Sequence, residues 1–323
     1  MKDLFRQAIV AGILVLILMV PKMTTGQDVG LSGRMYTGYF YNTHSNDNAF
    51  YIDRIYLGYE GALSSSVNFQ VTSDVASPDS TDSYELMMKY AYVDWLQGDN
   101  ASMKLGIIPM TAYDVQKRTW GFRYLRKTVM NDRKFTPSAD VGASYDLQLS
   151  KKFSLSTAIS NGGGFKTAET NQFKRVHLRF LFGPSNLGKS RGMNVGAYTS
   201  FEPVTVEGNG ENELTFAGFT GLHAGNLITG LEGAYQMSTD TDSAQMLLSV
   251  YGRTMVGEDT QGFLRFDYVD AIDASNHILN WLLMAGIEFA PTAGIKMTPH
   301  FVYSLDNAGE DDLVLKLGTE FRW

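Results

Sequence analysis

Seven bases crowd into one short stretch of the chain: Lys117, Arg118, Arg123, Arg126, Lys127, Arg133 and Lys134. Across residues 110–137 only Asp114 and Asp132 oppose them, a net of +5. Guanidinium and ammonium groups at this density attract anions, because each carries several N–H donors on a fixed positive charge. Tyr113, Trp120, Phe122, Tyr124 and Phe135 are interleaved with the bases, so the stretch is too apolar to float free in water. Other chemistry is poorly supplied. The 323 residues include no cysteine, which excludes a thiolate metal site, a cysteine nucleophile and a disulfide scaffold. The five histidines, His44, His177, His223, His277 and His300, are scattered and form no HExxH pair. Neither metal-assisted nor triad catalysis is therefore expected, and no cofactor. A net charge of −7 argues against a nucleic-acid partner, since a phosphate backbone calls for a basic footprint.

The elements around this stretch read as strands. In Leu313-Val314-Leu315-Lys316-Leu317-Gly318-Thr319-Glu320-Phe321-Arg322-Trp323 the odd positions are mostly apolar, while Lys316, Glu320 and Arg322 fall on even ones. That two-residue period is the strand period, and it recurs in Arg175–Phe182, Leu264–Tyr268 and Met103–Ile107. One face stays apolar strand after strand, with no helical segment to cover it. Runs of about ten residues suit a tilted membrane strand. In lipid every backbone polar group must be paired, so such a sheet has to close. The expected fold is all-β, a transmembrane antiparallel β-barrel of about 16 strands.

The N-terminus reads as a cleaved signal peptide over 1–26: Lys2 and Arg6 precede an unbroken apolar run from Ala8 to Val20, and Thr24-Thr25-Gly26 supplies small residues. Residues 27–323 then form one barrel domain. Strands are expected near 32–42, 50–60, 65–75, 84–96, 101–109, 138–149, 152–160, 173–182, 191–202, 213–222, 227–237, 244–256, 261–269, 277–290, 294–304 and 312–323. Tight connections such as Leu63-Ser64, Gln97–Asn100 and Pro291–Ala293 alternate with longer polar ones, as when one end faces the periplasm and the other the outside. The phase of 84–96 is broken at Lys89.

The basic loop at 110–137 follows the fifth strand, and its length marks it as functional. Folded inward, it would constrict the pore and concentrate anions there. The remaining long loops have the opposite sign: Asp47, Asp79, Asp82, Glu169, Glu207, Glu211, Asp240, Asp242, Asp270, Asp273, Asp306, Glu310 and Asp311 stand against Lys166 alone. Such a rim suits contact with outer-membrane lipid and, through divalent cations, with lipopolysaccharide. Strand phase assigns Arg54, Lys104, Arg175, Arg179, Arg253, Arg265, Lys296, Lys316 and Arg322 to the lumen wall. The same phase adds Glu60, Asp94, Asp146, Glu202, Glu232, Asp267, Glu288 and Glu320. Facing charges of both signs pair across strands, which leaves the loop as the main source of any selectivity.

The order of segments also resembles a known family. Phe50–Gly61, Val67–Val71, Tyr90-Ala91-Tyr92-Val93-Asp94-Trp95 and Met103–Pro109 precede the loop; Asp140–Tyr145 and Ala158–Gly164 follow it. Over roughly residues 33–165 this is similar to the phosphate-selective porin O and P family. The resemblance implies a sixteen-stranded, homotrimeric outer-membrane channel with basic lumen residues on an inward loop, passing small hydrophilic or anionic solutes. A last strand ending on Phe321 and Trp323 looks like the signal read by the barrel assembly machinery. The alternative is a structural or adhesive outer-membrane barrel with an occluded lumen.

Overall fold

The computed structural model describes residues 29–76, 83–169, 172–203, 212–238, 243–272, 277–307 and 309–323. The expected signal peptide at 1–26 lies outside the described residues. Sixteen strands follow in order: β1 (Gly30–Asn42), β2 (Asn48–Ser64), β3 (Val67–Ala76), β4 (Glu85–Leu96), β5 (Ala101–Pro109), β6 (Ala139–Gln148), β7 (Phe153–Ser160), β8 (Arg175–Phe182), β9 (Gly192–Glu202), β10 (Glu213–Ala224), β11 (Leu227–Ser238), β12 (Ser243–Met255), β13 (Thr260–Ile272), β14 (His277–Thr292), β15 (Ile295–Asp306) and β16 (Asp311–Arg322). Each pairs antiparallel with its sequence neighbours, and β1 pairs with β16 to close the barrel. Closure leaves no unpaired edge, the condition a sheet must meet in hydrocarbon. The seam runs from Arg34 opposite Arg322 to Asn42 opposite Val314. Beyond it, the Gly33 N–H donates to the Trp323 carbonyl at 2.9 Å and the Trp323 N–H donates back to Gly33 at 3.1 Å.

All sixteen expected strands are present; the differences lie at their ends. The turn placed at Leu63-Ser64 falls two residues later, because β2 runs on to Ser64. β10, β13 and β14 also outrun their expected ends, so Pro291 and Thr292 belong to β14. Asp270, Asp306 and Asp311, expected in loops, sit on the outer ends of strands. Backbone pairing continues past the apolar stretch wherever a partner strand is available, and composition does not report that.

The broken phase at Lys89 is a β-bulge. Thr72 pairs with Tyr90 and Ser73 with Met88, so Lys89 is the extra residue. A bulge turns two successive side chains to one face. Met88 therefore stays on the lipid side while Lys89, only 7% exposed, enters the lumen. A second register shift, where Tyr36 pairs with Arg54 and Thr37 with Ile52, does the same for Asp53 on β2.

Candidate functional site

The barrel interior is organised by residues 110–138. The loop closes at its base, where the Met110 N–H donates to the Ser138 carbonyl at 3.2 Å, and carries two short helices, α1 (Asp114–Trp120) and α2 (Val129–Asp132). In α1 an acid stands in the first turn and two bases in the last, matching the helix dipole. Asp114 bonds Lys117 at 2.9 Å and Arg118 at 2.5 Å, the i,i+3 and i,i+4 pairs. Burial alone would raise the Asp114 pKa, but these two cations outweigh it and hold the carboxyl well below its ordinary range. The helix ends on Gly121 at φ +81, where a Cβ would stand 2.8 Å from the Arg253 guanidinium.

The aromatics put the loop inside the lumen. Trp120, Phe122 and Tyr124 pack with Tyr36, Tyr251, Phe263, Met284 and Val302, which face inward from β1 and β12–β15. Tyr113, Val129, Met130 and Phe135 pack with Tyr198, Ala217, Ala234, Leu247 and Val269 of β9–β13. Val115 meets Leu181 and Phe219. Each large side chain so buried stabilises the arrangement by about 1.5–3 kcal/mol, so the loop is held against the inner wall. Tyr56 of β2 packs against the same cluster as Tyr36, so the attachment reaches β1 and β2 as well as β8–β15.

Wall polar groups reinforce that attachment. Arg179 donates to the Thr111 carbonyl at 3.1 Å, Arg253 to Thr119 at 3.3 Å, Arg265 to Lys127 at 2.6 Å, and Arg175 to Phe135 at 3.2 Å. Gln236 also donates to Phe135, at 2.8 Å. In the other direction, the Val129 N–H donates to Glu232 at 3.1 Å and the Tyr124 hydroxyl to Glu288 at 2.6 Å. Four of the nine wall bases singled out in the sequence thus satisfy loop carbonyls.

The other five sit differently. Arg54 pairs with Asp74 at 2.6 Å, Lys104 with Asp146 at 2.7 Å, Lys296 with Glu288 at 2.8 Å, and Arg322 with Glu320 at 2.7 Å. Lys316 lies 5.9 Å from the centre of the Tyr51 ring. Each wall pair largely cancels its own charge.

The loop bases divide in the same way. Lys117 and Arg118 are tied to Asp114, and Arg126 to Asp132 at 2.6 Å. Arg133 and the exposed Lys134 follow at the end of α2. Arg123 and Lys127 have no ion-pair partner among the described residues. Arg123 lies in sequence between two buried aromatics, Phe122 and Tyr124. Burial, then the Arg123 and Arg54 charges, lower the Lys127 pKa, so these cations share one region of the lumen.

Lys89 is the residue that strand periodicity did not place. Its ammonium donates to the Ser138 hydroxyl at 2.8 Å, stands 3.8 Å from Asp74 and lies 4.4 Å from the Phe165 ring centre. Asp74 therefore sits between Arg54 and Lys89, both beside bulge-shifted backbone. The interruption of alternation at Lys89 was the available signal. His177 and His300 are wall residues bonded to Tyr198 and to the Thr298 carbonyl. The described residues hold no His, Cys, Asp and Glu cluster suited to a metal ion.

Comparison with known proteins adds the lineage. The family model for phosphate-selective porin O and P matches residues 29–218, more than half of the chain. No curated protein matches it in sequence. Among solved structures, the outer-membrane channel DcaP of Acinetobacter baumannii superposes with a TM-score of 0.68 at 10% identity, covering 94% of this chain and 99% of that one. OmpT of Vibrio cholerae, in its trimer form, gives 0.66 at 12% identity, covering 92% and 99%. An anion-selective porin from Comamonas acidovorans gives 0.64 at 12% identity, covering 92% and 100%.

Proposed function

The chain belongs to the phosphate-selective porin O and P family, and from that premise we propose that its pore prefers anions through the bases its inner loop presents to the passage. The protein is a porin of the outer membrane of a Gram-negative bacterium, a diffusion channel for small hydrophilic solutes rather than an enzyme. We propose further that it has no catalytic activity of its own.

The observation that carries the anion preference is the pair Arg123 and Lys127, which have no ion-pair partner among the described residues and sit on a loop whose aromatics are packed into the barrel. A cation in a narrow, partly desolvated passage raises the local concentration of anions and lowers that of cations. Four of the wall acids, Asp74, Asp146, Glu288 and Glu320, are already engaged by wall bases. The structurally similar porin of Comamonas acidovorans is anion-selective, which agrees with this reading. The test is the zero-current potential in a salt gradient across a planar bilayer. An anion-selective sign is expected, and a cation-selective sign overturns the assignment. Absence of stable conductance steps would favour an occluded structural barrel.

The trimer form of a relative supports a homotrimer here too. We also propose that Phe321 and Trp323 present the terminal strand to the barrel assembly machinery, that residues 1–26 are removed on export, and that the acidic outer loops meet lipid and lipopolysaccharide.

A further inference from the structure

We propose that the channel has a second solute site, on the periplasmic side of the loop, which takes neutral polyhydroxylated solutes of small-saccharide size. It rests on the porin reading of the chain but not on its anion preference.

A cavity of about 400 Å³ lies between α1 and the inner faces of β5, β6 and β7, within the roughly 300–1,000 Å³ of small-molecule sites. Its walls are rich in hydroxyls: Ser102, Ser144, Ser154 and Ser156 come from the three strands and Thr111 from the loop. Asn100 and Gln148 add two amides at the end where the short turns lie. That end faces the periplasm in barrels of this kind, so the site opens toward the exit of the pore.

The charges around the cavity balance. Lys104, Arg118 and Arg179 meet Asp99, Asp114 and Asp146. Lys104 is bonded to Asp146, and Arg118 to Asp114. A simple ion entering this space gains little net attraction. A solute with several hydroxyls gains more, because serine hydroxyls and amides both donate and accept. Hydrogen-bonding capacity is also left over: Thr111 and Arg179 are buried, and the Thr111 Oγ1 and Arg179 Nε have no partner. The lining includes no aromatic ring on which a sugar could stack, so residence should be brief, as suits a passage rather than a receptor.

The experiment uses the full-length protein in planar bilayers, with glucose or sucrose added to one side in potassium chloride. Sugar on the periplasmic side should produce resolvable dwell events or excess current noise, stronger than from the outer side. Replacing Ser102 and Ser144 together by alanine should shorten the dwell about fivefold for each hydrogen bond lost. Ser154→Ala, at the start of β7, gives a second variant should the double one fold poorly. The proposal is overturned if neither sugar perturbs the current from either side, or if dwell is the same in every variant. It is also overturned if inorganic phosphate reproduces the effect from the periplasmic side, since the cavity then belongs to the anion path. Sugar dwell in a channel without anion selectivity would keep this site and sink the earlier reading; anion selectivity without sugar dwell does the reverse.

Discussion

Arg265 joins the wall to the loop through the backbone of Lys127. Its guanidinium donates to the Lys127 carbonyl at 2.6 Å while holding Asp267 on its own strand at 2.7 Å and lying 5.0 Å from the Trp120 ring centre. The contact fixes the backbone of the loop at Lys127. Arg179, Arg253 and Arg175 make the same kind of bond to loop carbonyls, so these wall arginines serve to anchor the loop.

Replacing Arg265 by methionine should release that anchor. It leaves Asp267 buried without its cation, and breaking a buried pair costs about 3–5 kcal/mol. Lower unfolding temperature in detergent, with noisier single-channel current, is the expected outcome. A quiet channel of unchanged stability would show that the aromatic packing alone holds the loop.

The unpaired bases should matter more than the paired ones. Removing a charge about 4 Å from a permeating ion changes its energy by about 1 kcal/mol even in a water-like dielectric. The anion loses that energy while the cation gains it, so Arg123→Gln and Lys127→Gln should each reduce the anion-to-cation permeability ratio by up to roughly thirtyfold on that figure. Lys117→Gln should change it less, since Asp114 already screens that ammonium. Reversal potentials of the three variants decide the matter, and equal effects would refute the distinction.

Asp114→Asn runs the other way. It frees Lys117 and Arg118, so anion preference should rise, while α1 loses the pairing that supports it. The carboxyl has a depressed pKa in the folded protein. Its stabilising contribution is therefore complete above the ordinary aspartate range and is lost as pH falls through the depressed value. Acid unfolding followed by circular dichroism should show the wild type losing part of its advantage over the variant only at strongly acid pH.

Alkaline pH should weaken selectivity earlier than an ordinary lysine would. The Lys127 ammonium is destabilised by burial and by neighbouring positive charge, so it loses its proton below the usual lysine value. Reversal potential measured against rising pH should begin to fall in that region, and Lys127→Gln should remove that first step. A profile identical in wild type and variant would assign the step to another base.

At Gly106 the backbone itself is the constraint: φ is +128, and a Cβ there would stand 2.2 Å from the Ala91 carbonyl oxygen. Gly106→Ala should destabilise the β4–β5 pairing beyond the ordinary ~1 kcal/mol of a glycine change. Urea unfolding from detergent measures it.

Much of this architecture was readable from residue order because a barrel in lipid obeys a local rule. Alternation along Leu313–Trp323 or Arg175–Phe182 reports which face meets hydrocarbon, and that face needs no knowledge of distant residues. The same rule put Arg179, Arg253 and Arg265 on the lumen side. It could not say what they touch. Their partners are backbone carbonyls of a loop more than forty residues away in sequence, brought close only when the sheet closes and Trp120, Phe122 and Tyr124 find the opposite wall. Lys89 could not be phased for a related reason, since a bulge is a relation between two strands rather than a property of one.

Residue order alone was thus enough for the barrel, for a count of about sixteen strands, and for the one basic segment in an acidic chain, because periodicity and composition are carried by neighbouring residues; pairing in the closed sheet made the count sixteen. Tertiary contacts set which bases are engaged by carbonyls and acids and which, Arg123 and Lys127, have no ion-pair partner among the described residues. The reason is physical: the effective charge of a side chain is set by what lies within a few ångströms of it, and in this lumen those neighbours come from across the barrel.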